Sequence, residues 1–148
     1  MTYEVRTERA EARPLAAIRT TTTRAQLSRD IIRLLDRIWP FLRERGVRTR
    51  HNVVVYHHGL DIEVGVETLS DFRENGEIRR SSTPAGEVVT TAHFGEYSGM
   101  APAYGALEQW CRDHDRPPTG LSWEVYGDWE DDPAKRRTDI YLLLAENG

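Results

Sequence analysis

Glu124 stands in the stretch Leu-Ser-Trp-Glu-Val-Tyr-Gly-Asp, residues 121–128, between Trp123 and Tyr126, with Trp129 just beyond. The stretch reads as a β-strand, where Trp and Tyr are enriched and Glu is depleted. Alternation puts Ser122, Glu124, Tyr126 and Asp128 on one face and Trp123, Val125 and Gly127 on the other. A carboxylate buried without a partner is costly, so it is protonated or awaits a cation. Aromatic faces add cation–π attraction of about 0.5–2 kcal/mol per contact. An acid ringed by aromatics therefore suits a flat or bulky cation. The alternatives are an exposed carboxylate on an outer face, or one paired with Arg or Lys.

The histidines do not make a metal site. His57 and His58 are adjacent, so on a strand they point to opposite faces, and His51, His93 and His114 lie apart. No metal-binding helical spacing, nucleophile elbow or phosphate-binding loop is present. No cofactor is expected. Ser81 and Ser82 sit in a turn-rich segment with no base beside them. Cys111 is the sole cysteine, which excludes an internal disulfide, and its apolar setting reads as a buried thiol.

The elements that must carry Glu124 follow from periodicity. Leu27, Ile31, Leu34, Leu35, Ile38 and Leu42 recur at steps of three and four within residues 21–46, an amphipathic helix. Thr23 with Gln26 reads as its capping box, Gly46 as its C-terminal cap, and Pro40 as a kink or end. Residues 51–58 and 61–69 are rich in β-branched residues and separated by Gly59 and Leu60, a hairpin. Residues 3–20 also read extended, with a bend at Arg13-Pro14. Residues 70–86 are polar and turn-rich and read as a linker. The order then restarts: a strand at 87–94, a helix at 98–115 capped by Ser98 and carrying Met100, Tyr104, Leu107 and Trp110 or Cys111 on one face, then strands at 121–128 and 137–146.

The chain thus reads as an α+β protein of two tandem βαββ repeats, about 1–69 and about 87–148, in a single domain. The two copies overlay with Trp39 on Trp110, Tyr56 on Tyr126 and Val54 on Glu124. Two helices are expected on one face of an antiparallel sheet. The other face is left over, and a cleft is expected at the pseudo-two-fold junction. Tyr56 then shares the face of Glu124, and Tyr141 on the last strand borders the cleft. Trp123 is kept as a wall of the cleft. The run 129–137 reads as a solvated charge run that could act as a flap.

Composition bounds the function. The 148 residues carry a net charge of −4, with 39% hydrophobic and 30% charged residues. Acids are interspersed with the arginines, which argues against general nucleic-acid binding. No membrane span or signal-peptide core is visible, and a cytoplasmic protein is the expectation.

Pro84 and Gly86 before a strand, Gly95 and Tyr97 after it, Trp110, Glu124 with Tyr126, and Thr138 before the last strand together resemble the GyrI-like small-molecule-binding family. This is the effector-binding domain also attached to some AraC-type and MerR-type multidrug regulators. The resemblance covers nearly the whole chain. It implies two βαββ repeats with a ligand cleft between them, and a Glu in the Glu-x-Tyr strand that accepts cationic or polar aromatic ligands. It supports Tyr141 as a cleft residue. The first strand begins at about residue 3, so no helix-turn-helix is expected and no direct DNA binding. Capture or sensing of a cationic aromatic compound is the favoured function. The family leaves two alternatives open. One is hydrolysis of reactive cyclopropane-bearing compounds, with Glu124 as the catalytic acid or base. The other is a protein-interaction role of the gyrase-modulating kind.

Overall fold

A computed structural model describes residues 2–146. Its strands are β1 (Arg6–Ala10), β2 (Pro14–Thr21), β3 (Thr49–His58), β4 (Asp61–Thr68), β5 (Arg79–Ser82), β6 (Gly86–Phe94), β7 (Pro118–Tyr126) and β8 (Arg137–Leu144). Its helices are α1 (Leu27–Glu44) and α2 (Ala101–Asp113). All eight strands form one antiparallel sheet in the order β1-β6-β8-β7-β3-β4-β2-β5. The α+β class and the βαββ order hold, as β2-α1-β3-β4 and then β6-α2-β7-β8.

The two halves meet where β3 pairs with β7, with Val54 opposite Glu124 and Tyr56 opposite Ser122. The overlay of Val54 on Glu124 maps this pair onto itself. The pseudo-two-fold therefore passes between these two residues. Glu124 stands beside the axis, and the corresponding residue of the first half is a valine.

Helix α1 buries Leu34, Ile38, Phe41 and Leu42 against Ile18, Val54, Ile62, Val64 and Val66. The helix begins later than the sequence suggests, although the Thr23 hydroxyl still accepts the Gln26 N–H at 3.2 Å. Pro40 does not end it; α1 continues to Glu44. Gly46 takes φ +63° and the Val47 N–H returns to the Leu42 carbonyl, which closes the helix in the left-handed conformation that glycine tolerates. Helix α2 packs Ala103, Leu107 and Cys111 on Val89, Ile140 and Leu142. It starts after a single 3-10 turn, Tyr97–Gly99, and Ser98 does not cap it. Cys111 is buried, as its setting suggested.

The linker expected over 70–86 is instead partly sheet, because β5 pairs with β2. The pairing explains the shape of the molecule. Strands β1 and β2 lie six neighbours apart in the sheet, about 29 Å if it were flat. Three residues, 11–13, join them, and that connection reaches about 14 Å. Residues 83–85 set the same limit between β5 and β6. The sheet must therefore roll until its two ends meet. They meet along one ribbon: β1 with β6, then β2 with β5, joined by the Arg13 N–H on the Thr83 hydroxyl at 2.9 Å and the Thr83 N–H on the Arg13 carbonyl at 3.0 Å. The bend falls at Arg13-Pro14, where the sequence places it.

The face without helices is consequently the inside of the roll and not a leftover surface. Leu15, Ala17, Val53, Val55, Val88 and Trp123 are all buried there.

Candidate functional site

Glu124 lies on the helix-bearing face, between the footprints of α1 and α2, and is 3% exposed. Its neighbours are tyrosines. The Tyr126 hydroxyl donates to Glu124 Oε1 at 2.5 Å, from two residues along the same strand. The Tyr104 hydroxyl, from α2, donates to Glu124 Oε2. Tyr56 approaches the same carboxyl from β3 and also interacts with Tyr126. Tyr97, at the entry to α2, sets its ring edge against Tyr126 with centroids 5.4 Å apart.

The electrostatics follow from burial. Desolvation pushes the Glu124 carboxyl above its ordinary value, and the hydroxyls of Tyr104, Tyr126 and the nearby Tyr56 draw it part of the way back. No Arg, Lys or His is among the groups that act on it. The tyrosines are each pushed up, first by burial and then by the carboxylate beside them, so they stay protonated donors. Among the described residues the arrangement is one acid and three phenols with no cation. It can accept a positive charge, or hold a proton at Glu124 Oε1 or Oε2.

The structure brings Glu124, Tyr126 and Tyr56 together and adds Tyr104. Sequence reasoning placed Tyr104 on the packed face of its helix and gave it no role at the acid. A signal existed: a tyrosine on a buried helix face needs a partner for its hydroxyl. The two other expected wall residues are corrected. Trp123 and Tyr141 lie inside the roll, on the opposite face from Glu124, stacked on each other with centroids 5.1 Å apart and planes 9° apart. Strand alternation is the reason. Trp123 is one residue from Glu124, and Tyr141 pairs with Trp123 while Ile140 pairs with Glu124. Trp39 uses its ring N–H on Asn52 at 2.9 Å and supports β3 from α1. The loop 127–136 is fastened locally, with the Arg136 guanidinium 3.9 Å over the Trp129 ring and Asp132 accepting from the Ala134 N–H. No group of three or more metal-ligating side chains occurs among the described residues.

This fold matches a known class. The model of the GyrI-like small molecule binding domain family matches residues 3–145, and the chain belongs to that family. Solved structures extend the likeness. The C-terminal domain of EcmrR superposes with a TM-score of 0.78 at 21% identity, covering 99% of this chain and 100% of that one. The EcmrR chain in its DNA complex gives 0.83 at 20% identity over 98% of this chain, which spans 58% of that longer protein. SAV2435 bound to tetraphenylphosphonium gives 0.63 at 10% identity, covering 98% of this chain and 94% of that one. A hydrolase from Listeria innocua gives 0.63 at 9% identity, covering 96% and 92%. No curated protein sequence matches the chain. At these identities the structural likenesses establish the fold and nothing about the ligand. No helix of the described residues is long and apolar enough to cross a membrane.

Proposed function

We propose that the chain captures cationic aromatic small molecules at Glu124. The observation that carries this reading is the buried carboxyl whose hydrogen bonds, among the described residues, come from tyrosines, with no basic side chain acting on it. A buried acid held this way stores an unmet demand for positive charge. A bound cation would meet that demand, and the phenol rings would supply cation–π contacts. The family is one of small-molecule-binding domains, and SAV2435, a distant structural relative, has been solved with a bulky phosphonium. Glu124 is too buried for such a ligand to reach it directly. Tyr104 belongs to α2, so its side chain or its helix must give way first.

The test is a tryptophan-fluorescence titration with tetraphenylphosphonium and with neutral triphenylphosphine oxide. Wild type should bind the phosphonium and ignore the oxide. Glu124→Gln should lose at least tenfold in affinity while keeping its circular dichroism. Equal binding of the two compounds, or indifference to the substitution, would reject the reading.

Hydrolysis is the second reading. A carboxyl pushed upward by burial and bonded to phenols has the features of a general acid or base. Capture predicts that each bound compound is recovered unchanged. Turnover of a cyclopropane-bearing substrate by wild type, abolished in Glu124→Gln, would favour hydrolysis.

A further inference from the structure

We infer that Thr138 is a second polar contact in the Glu124 site, one that selects cations carrying a hydrogen-bonding group across one aromatic ring from their charge. This rests on the reading of Glu124 as the cation's partner. Thr138 is fully buried, at 0% exposure. Among the described residues its hydroxyl has no hydrogen-bond partner. Buried hydroxyls are almost always satisfied, because an unpaired one forfeits its hydration for nothing.

The position of this orphan is what gives it meaning. On β8, Thr138 lies opposite Tyr126 of β7 and opposite His93 of β6. It shares the helix-bearing face with Ile140, which lies opposite Glu124. Thr138 is therefore the diagonal neighbour of Glu124, at about 7–8 Å in an antiparallel pair. The polar groups around it are already committed. The Tyr126 hydroxyl is on Glu124. His93 uses both ring nitrogens, Nδ1 with the Tyr3 hydroxyl at 3.0 Å and Nε2 with the Glu96 carbonyl at 3.0 Å. Among the described residues none of these groups bonds the Thr138 hydroxyl.

A hydroxyl both donates and accepts, so it takes a ligand hydroxyl, amine or carbonyl. The diagonal separation of the two strand positions, about 7–8 Å, is of the size of one phenyl ring set between a positive centre and a polar group. Cations without such a group would leave the Thr138 hydroxyl unpaired and bind more weakly.

The experiment compares tetraphenylphosphonium with (4-hydroxyphenyl)triphenylphosphonium on wild type, Thr138→Val and Glu124→Gln. Valine keeps the shape and removes only the hydroxyl. Wild type should bind the hydroxylated probe roughly three- to tenfold tighter. Thr138→Val should erase that preference, keep the affinity for tetraphenylphosphonium, and melt at the same temperature or higher. A preference that survives in Thr138→Val, or no preference in wild type, would overturn the assignment and leave the cation reading standing. A clear fall in melting temperature would show that the hydroxyl has a structural partner, and would overturn it too. Failure of both probes to bind wild type would instead defeat the reading of Glu124, and this inference with it.

Discussion

At the scale of single residues, a buried carboxyl stands where its counterpart in the other repeat is a valine. Val54 and Glu124 occupy matching places on the two sides of the axis, and Val54 is simply core. Burial raises the Glu124 carboxyl above its ordinary value of 4.5. The folded protein therefore keeps this proton to higher pH than the unfolded chain does. Between the ordinary value and the raised one, the folded state binds more protons, so stability falls as pH rises. Glu124→Gln has no such proton to lose. Its melting temperature should gain on that of wild type as pH rises through this window, in a series from about pH 4 to about pH 8. A constant difference between the two would mean that the carboxyl is not raised. On the proposed reading, capture of a cation at Glu124 should follow the opposite course and strengthen with pH, because a cation needs the ionised form.

At the scale of elements, the tight curvature leaves its mark on β4. Gly65 lies opposite Ala17 of β2 and Val53 of β3, inside the roll. A Cβ added there would stand 2.9 Å from the Ala16 carbonyl oxygen and 3.1 Å from the Ala17 Cβ. The first contact is with backbone, which cannot swing aside. Gly65→Ala should cost about 1–3 kcal/mol in a urea denaturation, the usual range for an overpacked interior. It should leave the Glu124 cluster unchanged, since the added methyl points to the other face. Tyr104 is the corresponding dependence on the helix side: α2 packs through Ala103, Leu107 and Cys111, and that packing delivers the Tyr104 hydroxyl to the acid.

At the scale of the whole molecule, the ribbon that closes the sheet binds the two repeats together. Thr83 is buried, and its hydroxyl accepts the Arg13 N–H at the bend of the ribbon. Thr83→Val would leave that N–H without its partner and should lower stability by about 1–3 kcal/mol. Both halves share the ribbon and the β3–β7 pair, so they should unfold as one unit. Tryptophan fluorescence and far-ultraviolet circular dichroism should therefore give coincident transitions in wild type and in Thr83→Val. Two separated transitions would show that each repeat stands alone.

The sequence by itself determined the elements and the acid. Helical periodicity from Leu27 to Leu42 marked α1, alternation in Ile62, Val64 and Val66 marked β4, and the restart of the pattern marked the duplication. Glu124 between aromatics marked the site, and the overlay of Tyr56 on Tyr126 named two of its phenols. These features are legible because periodicity and strand alternation are local properties of the chain. Tertiary structure decided the rest. It alone put Tyr104 on Glu124, since a contact between residues 20 apart depends on how α2 crosses the sheet. It alone separated Tyr141 from the site, because β8 fixes its register by pairing with β6 and β7 together, whereas alternation already set Trp123 on the face opposite Glu124. And it turned the apparent linker into β5, because four polar residues become a strand only when the sheet rolls far enough to bring β2 beside them.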